Sequence, residues 1–112
     1  MASETYLALL RAGQLLASHG WTRRRTAGTV DRPYTPADIV RLRAAETVVP
    51  LCVAAAVDYA SPTPEVAHEA HGYLRAAVGQ FSVTNWNDKP GRTVDQCTDA
   101  LHRAAALCGD EP

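Results

Sequence analysis

Val48-Val49-Pro50-Leu51-Cys52-Val53-Ala54-Ala55-Ala56-Val57 is apolar at every position. A helix that is apolar on all sides has to be surrounded by other helices, so this run is the expected centre of a helical core. Pro50 leaves two arrangements open, because proline inside a helix removes a hydrogen bond and clashes with the preceding turn. Either one kinked helix runs from Pro36 to about Tyr59, or a short helix ends near Ala44 and a second follows.

On the N-terminal side, Thr35-Pro36 reads as a helix start, with Thr as the cap and Pro in the first turn, where its missing N–H costs nothing. On the other side, Ser61-Pro62-Thr63-Pro64 is a break, and Thr63-Pro64-Glu65 opens the next helix by the same device. The expected buried face of that helix is Val66, Ala70, Tyr73, Leu74, Ala77 and Phe81. Thr93 and Gln96 then form a capping box before a last helix whose expected inner face is Val94, Cys97, Leu101, Ala104 and Cys108, ended by Gly109. The first helix starts at Ser3, with Tyr6, Leu9, Leu10, Gly13, Leu16 and Ala17 as its stripe and Gly20 as its left-handed stop. Residues Trp21 to Tyr34 carry Thr, Arg and Gly without period and read as an irregular basic loop or a short hairpin.

The expected fold is therefore all-α: a compact bundle of four or five helices in a single domain over residues 1–112, with a tail fraying from about 109 to 112. A chain of 112 residues is long enough for one hydrophobic core and too short for two. The formal net charge of −1 supplies no field that would draw the molecule onto nucleic acid or an anionic membrane. No apolar run approaches a membrane span, and Met1-Ala2-Ser3-Glu4 lacks the basic start of a signal peptide, so a cytoplasmic location is expected. Ten Arg against one Lys, with Ala the commonest residue, is the codon signature of a GC-rich genome.

Cys52, Cys97 and Cys108 lie in apolar runs without metal-ligand spacing and are expected to be reduced core residues. A Cys97–Cys108 disulfide is disfavoured, because on one helix eleven residues span roughly 16 Å, beyond disulfide reach. Two motifs, Glu65-x-x-His68 and Asp99-x-x-His102, have the spacing by which helical bundles hold paired metal ions. Rotation by 100° per residue turns all four side chains away from their apolar faces, so no metal and no cofactor is expected. No nucleophile elbow, phosphate-binding glycine loop or HExxH motif occurs, and no catalytic residue is assigned. His19 and Asp88 have the chemistry of an acid–base pair, but His19 is better placed to meet carbonyls at the end of its own helix.

Two segments concentrate residues suited to recognition. One is Trp21 with Arg23, Arg24 and Arg25, joined by Arg32 and Tyr34, which suits a phosphate or an acidic partner. A neutral chain without a helix-turn-helix is a poor nucleic-acid binder, however. The other is Asn85-Trp86-Asn87-Asp88-Lys89-Pro90-Gly91-Arg92-Thr93, a polar inter-helix loop with one large aromatic. Here Lys89-Pro90-Gly91-Arg92 suits a type II turn, Asn87 or Asp88 an Asx turn, and Arg92 a pair with Asp88. Trp86 either plugs the helix ends or, with Asn87, Asp88 and Arg92, forms an exposed recognition surface.

His19-Gly20-Trp21, Cys52 within its apolar run, and the stretch from Trp86 to Thr93 together resemble a family of small uncharacterised proteins encoded by actinobacteria and their phages. The resemblance spans about Ala12 to Ala105. It departs from the family pattern at Leu51 and at the alanines after Cys52, and again over residues 23–45. It implies a small helical domain and no mechanism. The expected function is a non-enzymatic accessory or regulatory protein acting through a protein partner or self-association. The alternatives are a small-ligand or catalytic site between Trp21 and Trp86, and weak nucleic-acid binding through Arg23, Arg24 and Arg25.

Overall fold

The computed structural model describes residues 3–23 and 35–109. Among these are six helices: α1 (Glu4–His19), α2 (Pro36–Ala44), α3 (Val53–Ala60), α4 (Pro64–Val78), α5 (Val83–Asp88) and α6 (Val94–Cys108). The all-α class is as the apolar periods predict. The additional helix is α5, within what reads in sequence as a loop. Ser82 caps it by accepting from the Asn85 N–H, and Val83 and Trp86, three apart, bury one face. Six residues are too few to show a helical period.

A side chain accepts at the start of each described helix: Ser3, Thr35, Cys52, Thr63, Ser82 and Thr93 in order. The Thr93–Gln96 capping box forms as expected, and Thr35 forms a second with Asp38. Cys52 is the unusual member, its sulfur 3.4 Å from the Ala55 N–H.

Pro50 neither kinks a helix nor sits in one. The chain leaves α2 at Ala44 and runs non-helically to Cys52 before α3 begins. Leu51 explains why. Its N–H donates to the Gly20 carbonyl at 2.9 Å and its carbonyl accepts from the Thr22 N–H at 3.1 Å, making a parallel bridge between Trp21 and Leu51. A helix through Pro50 would have to break both bonds. Gly20 ends α1 at φ 97 and ψ 160, which is not the expected left-handed helical cap but an extended conformation open essentially only to glycine. It turns the chain straight into the bridge.

The core is built where the apolar run places it, with Leu51 to Val57 all buried, while Val48 lies outside at 66% exposed. Around α3 pack α1, α2, α4 and α5, and α6 closes the other side against α1 and α4. The α1 face is Thr5, Ala8, Leu9, Ala12, Gly13 and Leu16, shifted from the expected stripe so that Ala17 is exposed and Tyr6 and Leu10 are half-buried. Its small side chains let α6 come close: a Cβ on Gly13 would sit 3.7 Å from the Thr98 methyl. Thr5 ties α1 to α4 by donating to Glu69 at 2.7 Å.

Three further apolar assignments are corrected. Phe81 is 88% exposed, because α4 stops at Gly79 in a left-handed cap before its period reaches that position. Val94, in the first turn of α6, is at the solvent edge, and the inner face is Cys97, Ala100, Leu101, Ala104 and Ala105. Cys108 is half-buried, 3.9 Å from the Ser3 hydroxyl, because it lies on the last turn. The hairpin or loop beyond Arg23 and the tail after Gly109 lie outside the described residues.

Gly20→Ala is expected to cost about 1–3 kcal/mol in urea unfolding, the price of forcing a Cβ into that backbone region. Phe81→Ser, at an exposed site, should stay within about 0.5 kcal/mol of the parent.

Candidate functional site

Six of the eight residues singled out in sequence meet at one end of the bundle, and the centre of the meeting is the Asn87 amide. Asn87 is completely buried. Its Oδ1 accepts from the Trp21 indole N–H at 2.8 Å and from the Val53 backbone N–H at 3.0 Å. Its Nδ2 donates to the Thr22 carbonyl at 3.2 Å and to Asp88 Oδ1 at 2.9 Å. The Cys97 thiol approaches Oδ1 at 3.9 Å. One side chain on α5 thus holds the segment after α1, the first turn of α3 and the inner face of α6. All of its donors and acceptors are used, which a buried amide requires.

Arg92 lies across Trp86 with its guanidinium 3.9 Å from the ring centroid, inside cation–π range. Its Nε donates to the Trp86 carbonyl at 2.9 Å and a terminal nitrogen reaches Gln96 at 3.4 Å. The bonds Arg92 makes within this segment therefore run to Trp86 and Gln96, while Asp88 accepts from Asn87; the expected pairing of Arg92 with Asp88 is replaced by these. Lys89 to Arg92 close the type II turn as the sequence suggests, with a 3.0 Å bond from the Arg92 N–H to the Lys89 carbonyl and Gly91 at φ 85. Arg23 reaches back from the other segment to donate to the Arg92 carbonyl at 2.8 Å, its guanidinium 5.4 Å from the Trp21 ring. Trp86 itself is 7% exposed. Arg24 and Arg25 lie outside the described residues, as do Arg32 and Tyr34.

Cys52 and Cys97 are buried beside this network. Burial pushes the Cys52 thiol up to about 11 and the Cys97 thiol up to about 12, from an ordinary value of 9.0. Both are therefore neutral thiols at physiological pH, poor nucleophiles and poor metal ligands.

Glu65, His68, Asp99 and His102 are all exposed, as their rotation predicts. Among the described residues no three metal-ligating side chains come together. His19 departs from its expected role: its Nδ1 is buried without a hydrogen-bond partner, and its ring packs edge-on against Tyr59 at 5.2 Å. The Tyr59 hydroxyl in turn donates to the Thr47 carbonyl at 3.1 Å, so this pair props the extended segment against α1.

Among the described residues, two of the grooves that open away from the Asn87 network bear on function. One, about 540 Å³, runs between α1 and the end of α3, with Leu7 and Arg11 on its rim. The other, about 380 Å³, lies between α2, α3 and α4 and contains a pair that sequence spacing did not suggest: His71 Nε2 bonded to Asp58 Oδ1 at 2.8 Å. The only signal for it was that Asp58 is the first charge after a long apolar run. Nothing local links it to a residue on the next helix.

A family model matches residues 1–107. The chain belongs to DUF6197, a family of unknown function. No curated protein and no solved structure matches it. The DUF6197 chain therefore takes no function from a relative, and its chemistry has to be read from its own surface. No helix among its described residues is long and apolar enough to cross a membrane.

Replacing Asn87 by Leu leaves the Trp21 indole, the Val53 N–H and the Thr22 carbonyl without partners, and should cost roughly 3–5 kcal/mol in chemical denaturation. Trp86→Ala should lose a similar roughly 3–5 kcal/mol through its cavity; a variant that melts like the parent would instead make Trp86 a recognition residue. The thiols give a pH signature. Because folding raises their pKa, their contribution to stability is complete below about pH 9 and is lost as pH rises towards about 11 and 12. Unfolding free energies measured from pH 8 upward should fall in that window, and Cys52→Ala and Cys97→Ala should each flatten the fall.

Proposed function

We propose that this protein is a non-enzymatic accessory protein of the cytoplasm that acts by contacting other protein surfaces, in the first place a second copy of itself. The observation that carries this is the outer face of α1. Glu4, Leu7 and Arg11 are exposed along it, and Leu7, at 52%, stands beside a groove floored by Ala8, Tyr59 and Ala60. Meanwhile the Trp21 indole and the Asn87 amide are engaged inside the fold, Trp86 is buried, and Arg23 and Arg92 each donate to a backbone carbonyl, which weakens the reading that needed them as a small-ligand site.

The α1 face is self-complementary. Residues seven apart lie roughly 10.5 Å apart along the helix on the same face. If two copies of α1 pack antiparallel about an axis midway between positions 4 and 11, Glu4 faces the second copy's Arg11, and Leu7 faces its Ala8. Leu7 then enters the groove of the other copy, which is the self-matching arrangement a two-fold interface requires. Burying the exposed half of Leu7 contributes about 1 kcal/mol on each side, and each surface ion pair about 0–1 kcal/mol, so the leucine supplies affinity and the charges set orientation. A contact built on one helix pair is small, and association should depend on concentration. The resemblance of the Trp86 stretch to proteins of actinobacteria and their phages would fit a small accessory role.

Sedimentation across a micromolar-to-millimolar series should show reversible dimer formation. Leu7→Ser and Arg11→Glu should each weaken it, and the charge swap Glu4→Arg with Arg11→Glu should restore it. A parent that remains monomeric throughout, or a swap that behaves like Arg11→Glu alone, removes this assignment.

A further inference from the structure

We propose that the groove between α2, α3 and α4 binds a small molecule with an apolar body and one carboxylate. At about 380 Å³ it lies within the range of small-molecule sites, and it is too small to seat a partner helix. Its apolar side is Ile39, buried at the floor, and Val40, 56% exposed at the edge. Its polar side brings together Arg43, Asp58, His68 and His71.

The charges along that side decide the sign of the ligand. Asp58 is the only carboxylate among the described lining residues, and it already bonds His71 at 2.8 Å. Arg43 donates one N–H of its guanidinium to the Ser61 carbonyl, which fixes the direction of the group. A guanidinium has five N–H donors, so a planar pair remains for a carboxylate, the geometry such groups bind best. His68 is exposed on the same wall and adds a further donor. A cation would meet Arg43 and find Asp58, the one described counter-charge, already engaged by His71. A neutral apolar molecule would leave the guanidinium's spare donors desolvated, which is costly. An apolar carboxylate satisfies both sides of the groove. Arg43 also borders the α1 groove, so its replacement alone does not separate the two surfaces.

Octanoate is a suitable probe, read by 1H–15N correlation spectra with 1-octanol as the uncharged control. Saturable shifts are expected over residues 39–43 and 67–71, with the Asn87 network unchanged. Octanol should bind roughly tenfold more weakly, the worth of one charge-assisted contact. Arg43→Gln should weaken octanoate by about the same factor. His68→Glu and Val40→Asp, both at exposed positions, should weaken it while leaving the melt unchanged, which keeps the question decidable if Arg43→Gln does not fold. The proposal is overturned if octanoate leaves these signals in place, if octanol binds as tightly, or if His68→Glu and Val40→Asp bind octanoate like the parent. Sedimentation of His68→Glu, which lies off the α1 face, should match the parent, so loss of ligand and loss of dimer can be told apart.

Discussion

The Asn87 side chain is the constraint on which one end of this molecule depends. A buried amide left unpaired costs several kcal/mol, so the residue is tolerable only if everything around it is placed to answer its two donors and its acceptor. Trp21 and Thr22, Val53 and Asp88 do so from three separate parts of the chain. The Trp21–Leu51 bridge follows from the same requirement, because it brings Trp21 and Thr22 alongside the residues that lead into α3. Arg92 and Trp86 then seal the outer side, one stacked on the other.

Away from that end the molecule is held by ordinary means. Short helices, marginal alone in water, are started by side-chain caps and stabilised by burying alanine-rich faces against one another. Small side chains bring α1 and α6 close but bury little area per residue, which places more of the burden on Leu9, Leu16, Leu51, Leu74 and Leu101 at the centre. The neutral thiols of Cys52 and Cys97 belong to this packing. Their raised pKa values are a consequence of burial and give them no reactivity to use.

The residues that look most functional in the sequence and the surfaces that are open in the structure are different sets. A Trp, an Asn pair and an Arg in a polar loop have the composition of a recognition surface, yet the same chemistry fills a buried polar junction. What faces solvent with unused capacity is plainer: a leucine between two charges on α1, and an arginine and a histidine beside two aliphatic residues near α2. These have no motif, because their meaning depends on what lies next to them in space.

Where helices start and stop was legible from the residues alone. Ser3, Thr35, Thr63 and Thr93 as caps, Gly109 as a stop, and the turn at Pro90-Gly91 are all decided by hydrogen bonds and dihedral angles within about four residues. The outward rotation of Glu65, His68, Asp99 and His102 was legible for the same reason. Three features were not: the meeting of Trp21 with Asn87, sixty-six residues apart; the pairing of Asp58 with His71 across a helix break; and the exposure of Phe81. The exposure of Phe81 follows from the end of α4 at Gly79, two residues before it, whereas the two pairings depend on the angle at which one finished element approaches another. That angle is set by the summed packing of the whole bundle, and no local spacing in the chain encodes it.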